Sequence, residues 1–154
     1  MQIDLWTHQL TGLMTIQEIE KEITEEFELL GEDWEGKYEH IIDLGKSLPM
    51  IYGKYKTDNR LIKGCQSKVW MHSELKEGKV NFTADSDAII TKGLVALMVR
   101  VLSGHTPDEI VNAKLNFVDK IGLKEHLSPT RSNGLVSMIK QMKLDALAYK
   151  VKSE

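Results

Sequence analysis

Residues 68–84, KVWMHSELKEGKVNFTA, decide the fold class. Val69, Met71, Ser73 and Leu75 alternate with Trp70, His72 and Glu74, the period of two of a strand with one covered face. Glu77-Gly78 makes a two-residue turn, after which Val80, Phe82 and Ala84 resume the alternation, so the stretch predicts an antiparallel hairpin. Leu61 to Lys63 is read as a third strand, and Trp70 is assigned to the core as an anchor of the sheet.

On both sides of the hairpin the period is helical. Upstream, Thr15 and Glu18 form a capping-box pattern, and Ile16, Ile19, Ile23, Phe27 and Leu30 recur at steps of three and four. Glu18, Glu22, Glu25 and Glu26 read as a solvated acidic face on the same helix. Gly31 stops it, and Asp33 caps a second helix that carries Trp34, Tyr38, Ile41, Ile42 and Leu48 and ends at Pro49. Residues 50–60 are a polar, turn-prone connection. Downstream, Asp87 is a natural N-cap for a helix from Ala88, where Ile90, Leu94, Ala96, Leu97, Met98 and Val101 leave hardly a polar side, so it is expected to be central and buried. Gly104 closes it, and Thr106-Pro107-Asp108-Glu109 opens a short helix with a cap, a proline at the first position and acidic residues in the first turn. Phe117 to Leu123 is read as another short helix. The last runs from about Arg131 to Lys150, with Leu135, Met138, Ile139, Met142, Ala146 and Tyr149 inward. This order gives an α+β fold, a small antiparallel three-stranded sheet with helices packed on one face.

A chain of 154 residues suits one domain whose core needs neither disulfide nor metal. Its 20 Lys and Arg against 23 Asp and Glu leave a charge of −3, which argues against nucleic acid as a partner, since phosphate neutralisation needs a net basic face. The most apolar stretch, Ala88 to Leu102, is interrupted by Thr91, Lys92 and Arg100, so no membrane partner is expected either. The opening residues lack the basic start and apolar run of a secretory signal and carry Asp4, which makes cytoplasmic residence the expectation. Met14 opens MTIQEIEKEI like a natural start; residues 1–13 are therefore read as an N-terminal extension and 14–154 as a single domain. A single cysteine, Cys65, excludes an internal disulfide, a CxxC pair and cysteine-only cluster ligation within one chain. His8, His40, His72, His105 and His126 have no zinc spacing, are read as surface or half-buried residues, and no metal site is expected.

Cys65 lies in Lys63-Gly64-Cys65-Gln66-Ser67-Lys68. The commonest fate of a lone cysteine is that of a small buried hydrophobe. Its turn-forming neighbours place it instead on a loop at a strand end, where reactive groups gather, and Lys63 and Lys68 would favour the nucleophilic thiolate. Protease chemistry needs a histidine base, and His72, seven residues along the strand, is too far for that role. Arg131 opens the last helix, where a cation opposes the macrodipole by up to about 1 kcal/mol. It is either a solvated surface residue or one that holds a carboxylate or a developing thiolate. Asp85 and Asp87 pose the same choice, and capping alone would account for Asp87.

Gly64-Cys65-Gln66-Ser67-Lys68-Val69-Trp70, Asp85-Ser86-Asp87-Ala88, Lys92-Gly93-Leu94 and Leu127-Ser128-Pro129-Thr130-Arg131-Ser132-Asn133-Gly134-Leu135, together with Leu44-Gly45-x-x-Leu48-Pro49, resemble the SufE family of sulfur-acceptor proteins in iron–sulfur cluster assembly. The resemblance runs in order from about Ile16 to Ala148. It implies the α+β fold shared with IscU-like scaffolds. It also implies two partners: a SufS-like cysteine desulfurase, whose pyridoxal phosphate belongs to that donor so that this chain binds no cofactor, and a SufBCD-type scaffold complex that receives the sulfur. Cys65 matches the acceptor cysteine, taking the donor's terminal sulfur as a new persulfide and stimulating the donor, so the chain would be a sulfur carrier rather than a stand-alone enzyme. By the same resemblance Gly64, Gln66 and Ser67 shape the acceptor loop, Arg131 touches the thiolate or the partner, and Asp87 positions the loop. Such exchange needs a thiolate and access to the donor sulfur but no triad. The loop is expected to hold Cys65 in an apolar pocket at rest and to swing out on docking, with Gly64 as hinge. A second copy of the chain stays open as a partner, as do two other readings: an α+β adaptor with a structural Cys65, and a SufE-like paralogue delivering sulfur to a different pathway.

Overall fold

The computed structural model describes Trp6 and residues 14–153; the reading of residues 1–13 as an extension lies, Trp6 apart, outside the described residues. Helix α1, Ile16–Glu28, begins with both arms of the capping box made: the Glu18 N–H donates to Thr15 Oγ1 and the Thr15 N–H to Glu18 Oε1, each at 3.1 Å. Its three-and-four spacing buries Ile16, Ile19, Ile23 and Phe27. Helix α2, Trp34–Ser47, starts where Asp33 Oδ1 accepts from the Gly36 N–H at 3.0 Å. The connection that follows holds two 3₁₀ turns, Gly53–Tyr55 and Asp58–Arg60.

Strands β1, Val69–Lys76, and β2, Lys79–Ser86, pair antiparallel from Val69↔Ser86 to Lys76↔Lys79, with Glu77-Gly78 as the two-residue turn. Helix α3, Ile89–Leu102, is buried on nearly every side. Then come α4, Pro107–Asn112, with a second complete capping box at Thr106 and Glu109, the one-turn helices α5, Phe117–Lys120, and α6, Leu123–His126, and the long α7, Pro129–Ser153. The inner sheet face (Val69, Met71, Val80, Phe82, Ala84) packs into one core with α3 and the buried sides of α1, α2 and α7. Among the described residues no helix is long and apolar enough to cross a membrane.

Four readings need correction. The sheet has two strands: Leu61 makes only an isolated bridge to Trp70, and Ile62 donates to the Val69 carbonyl at 2.9 Å before the chain turns away, too short a run to extend the ladder. Trp70 is no core anchor. The strand period puts it opposite Val69 and Met71, so it lies half-buried on the outer face, under the Lys56 ammonium at 5.3 Å. That face is covered by the 50–60 connection rather than by a helix, with Tyr55 stacked on His72 at 3.6 Å. The acidic face of α1 is not wholly solvated either: Glu22 and Glu26 turn in to meet Arg100, which is 1% exposed. Finally, His105 is buried, with Nε2 2.9 Å from the Met14 carbonyl oxygen.

Candidate functional site

Residues 63–67 arch between two backbone anchors. On one side is the Ile62–Val69 hydrogen bond; on the other, Lys68 is clasped from both ends of its peptide. Its N–H donates to Asp87 Oδ1 at 3.0 Å, and its carbonyl accepts from Ser86 Oγ at 2.8 Å and from the Asp87 N–H at 3.2 Å. Asp87 therefore does not cap α3. Ala88 occupies the N-cap position, because the Lys68 N–H lies just beyond the last ladder pair and takes the carboxylate instead.

Gly64 has φ +91°, and a Cβ there would lie 2.4 Å from Ser137 Oγ of α7. Glycine thus allows both the left-handed turn and the close approach that seats the loop on α7. The next residue, Cys65, is half-buried, its Sγ 3.6 Å from the Gly134 carbonyl oxygen. Cys65, Gln66 and Ser67 line a cavity of about 340 Å³, whose other walls are Thr91 and Leu94 of α3 and Thr130, Arg131 and Met138 of α7. The pocket is mixed rather than apolar, a second departure from expectation at this site. A third concerns charge. Burial pushes the Cys65 thiol up from its ordinary value, and Lys63 and Lys68, both exposed, do not offset it. The Gly134 carbonyl oxygen beside Sγ can accept from the S–H but offers a thiolate no donor.

Arg131 stands at the rim. Helix α7 begins at Ser128-Pro129, with the Arg131 N–H donating to Ser128 Oγ at 3.3 Å, and this cap places the exposed Arg131 side chain against the cavity. Its guanidinium makes no hydrogen bond or ion pair among the described residues, so it is available to an anionic group entering the cavity. Of the residues singled out in the sequence, Cys65, Gln66, Ser67 and Arg131 share this cavity; Gly64 and Asp87 act on it from outside, through Ser137 and Lys68. The Gly134 carbonyl, Ser86 and Thr91 were not anticipated. Thr91 had a signal: it stands three residues before Leu94, on the same face of α3. Among the described residues no three His, Cys, Asp or Glu side chains are grouped to hold a metal.

Gly64→Ala is expected to lower stability by about 1–3 kcal/mol, from the left-handed backbone and the contact with Ser137, and to speed alkylation of Cys65 several-fold by unseating the loop. Adding Ser137→Ala should restore only the part due to contact. Iodoacetamide kinetics beside urea unfolding would check both; an unchanged alkylation rate would mean that Gly64 does not seat the cysteine.

The SufE family model, described as an Fe–S metabolism associated domain, matches residues 21–146. A SufE-like protein 1 of Arabidopsis thaliana, described as chloroplastic/mitochondrial, is 41% identical over 119 residues, 77% of this chain but only 32% of the plant protein. The chain thus spans about a third of that relative's length. Uncharacterised SufE-like proteins of Synechocystis and Rhizobium meliloti are 37% and 39% identical, covering 75% and 81% of this chain and 72% and 92% of theirs. A hypothetical protein from Thermus thermophilus, solved in solution, shares the fold with a TM-score of 0.70 at 20% identity, over 84% of this chain and 94% of that one. The family match covers the Cys65 loop, the hairpin and the start of α7, and this chain belongs to the SufE family of Fe–S metabolism associated domains.

Proposed function

We propose that this protein is a sulfur carrier that accepts sulfane sulfur on Cys65 from the persulfide of a pyridoxal-phosphate cysteine desulfurase and passes it to an iron–sulfur scaffold complex. One observation carries the reading: the chain's only cysteine sits on an anchored arch, half-buried in a cavity whose rim holds an arginine with no anionic partner among the described residues. In the transfer, the Cys65 thiolate attacks the terminal sulfur of the donor persulfide. The new S–S bond forms as the donor's breaks, the donor cysteine leaves as a thiolate, and the proton given up by Cys65 is taken by that thiolate, so no external oxidant or reductant is needed. A single cysteine can both accept and donate this atom. Burial and the Gly134 carbonyl beside Sγ both disfavour a thiolate in the resting seat, which supports movement of Sγ out of that seat before attack. Arg131 would stabilise the thiolate as it emerges, and the clasp of Lys68 by Ser86 and Asp87 confines movement to residues 63–67.

Intact mass spectrometry after incubation with a cysteine desulfurase and free cysteine tests this. The expected result is a gain of about 32 Da, one sulfur, that is lost on reduction and absent in Cys65→Ser. A donor that is itself persulfidated but leaves the mass unchanged would overturn the carrier role and leave an adaptor with a structural cysteine.

A further inference from the structure

Helix α7 is apolar on two sides. Leu135, Met138, Met142 and Ala146 are buried, whereas Val136, Leu144, Leu147 and Val151 remain between 43 and 64% exposed. At about 100° per residue these four and Lys140 fall within about 80° of one another, roughly 150° around the helix from the buried set. The stripe is about 22 Å long at about 1.5 Å per residue. Its head, Val136, also walls a cavity of about 150 Å³ with Leu115, Val118 and Ile139, so groove and stripe form one apolar track. The borders are basic. Lys114, Lys124 and Lys143 line the groove, where Asp119 pairs with Lys124 at 3.5 Å, Lys140 stands within the stripe, and Lys150, paired with Asp108 at 2.7 Å, flanks its far half. Lys143 donates to the Ala113 carbonyl, and Lys114, Lys140 and Lys143 have no acidic partner among the described residues, so the track keeps a net positive charge.

We infer that this track docks an acidic amphipathic helix of a protein partner. Charge decides among occupants. A second copy packed antiparallel about a twofold axis at the midpoint of the stripe would set Lys143 beside Lys143 of the other chain, like charge on like. An anionic lipid surface would meet a chain of net charge −3 whose α1 and α2 carry Glu18, Glu25, Glu28, Glu35 and Glu39, and the stripe has no aromatic anchor. The Cys65 cavity uses the other flank of α7, through Gly134 and Met138, so a helix on the track leaves that cavity open whatever Cys65 does.

The probe is a synthetic helical peptide with leucines at i, i+3, i+4 and i+7 and glutamates flanking them, titrated into the ¹⁵N-labelled full chain. Expected are saturable shifts at Val136, Lys140, Leu144, Leu147 and Val151, binding weakened about tenfold or more in Leu144→Gln/Leu147→Gln and severalfold in Lys140→Glu, and Cys65 alkylation unchanged with peptide bound. Both leucines are about half exposed, and an unchanged urea midpoint would show that the variant folds. Absence of saturable binding, binding indifferent to the double substitution, or peptide that slows Cys65 alkylation would overturn the assignment. So would cosedimentation with phosphatidylserine–phosphatidylcholine vesicles, or a dimer in sedimentation equilibrium, that the double substitution abolishes.

Discussion

Gly93→Ala is expected to destabilise the protein by about 2–4 kcal/mol, although alanine is the better helix former by about 1 kcal/mol. The reason is the closeness of α2 and α3. A Cβ on Gly93 would lie 2.2 Å from the Ile41 carbonyl oxygen, 2.4 Å from Ile41 Cγ2 and 2.7 Å from the Ile41 carbonyl carbon. Two of these atoms belong to helix backbone and cannot rotate away, so the helices must separate, and the loss of packing along the pair exceeds the gain in propensity. Gly45→Ala should act in the same direction, its Cβ falling 2.8 Å from the Gly93 nitrogen. Because α3 also carries Thr91 and Leu94 of the Cys65 cavity, the alkylation rate of Cys65 should change with stability. Urea unfolding decides the matter: a midpoint raised by the alanine would mean that the two helices do not meet as closely as described.

The second large effect is expected at Arg100. Its Nη2 lies 2.8 Å from Glu22 Oε1 and 2.5 Å from Glu26 Oε2, its Nη1 3.0 Å from Glu26 Oε1, and Glu26 also meets His40 at 3.0 Å. Glu22→Gln/Glu26→Gln should cost about 3–5 kcal/mol, because it removes both carboxylates that neutralise a guanidinium only 1% exposed. Arg100→Met should cost far less, since the glutamate side chains left behind, 42 and 24% exposed, can still reach water. Burial acts to raise the Glu26 carboxyl, but hydrogen bonds from Arg100 and His40 and the charge of Arg100 outweigh it and bring the pKa down to about 2. With the folded value below the ordinary 4.5, this pair stabilises fully above about pH 4.5, and its contribution is lost as pH falls toward 2. Urea midpoints of wild type and Arg100→Met between pH 2 and 6 would show the wild type losing more. Equal acid loss in both would mean that the pair does not hold Glu26 down.

Much of the fold could be read from local rules. Thr15 and Thr106 cap where their partners three residues on predict, and the stripe from Ile16 to Phe27 is the buried side of α1. The alternation on either side of Glu77-Gly78 gives the register of the hairpin. Each depends on residues within a turn or two of one another. The candidate site was legible to the same extent: the turn residues around Cys65 put it on a loop, and Ser128-Pro129 places Arg131 in the first turn of α7.

What the sequence determined by itself, then, was the set of elements, their order and the loop that carries the thiol, because caps, turns and periodicity act over a few residues. The tertiary structure alone decided the rest, where contacts span tens of residues. It chose which strand face is covered, so Trp70 lies outside under Lys56. It brought Arg100 to Glu22 and Glu26, turned Asp87 from a helix cap to the Lys68 N–H, and reduced the third strand to one bridge. It also set the chemistry of Cys65, whose neighbouring lysines in the chain are outweighed by burial between α3 and α7. Desolvation depends on the atoms that surround a group in space, and adjacency in sequence does not report them.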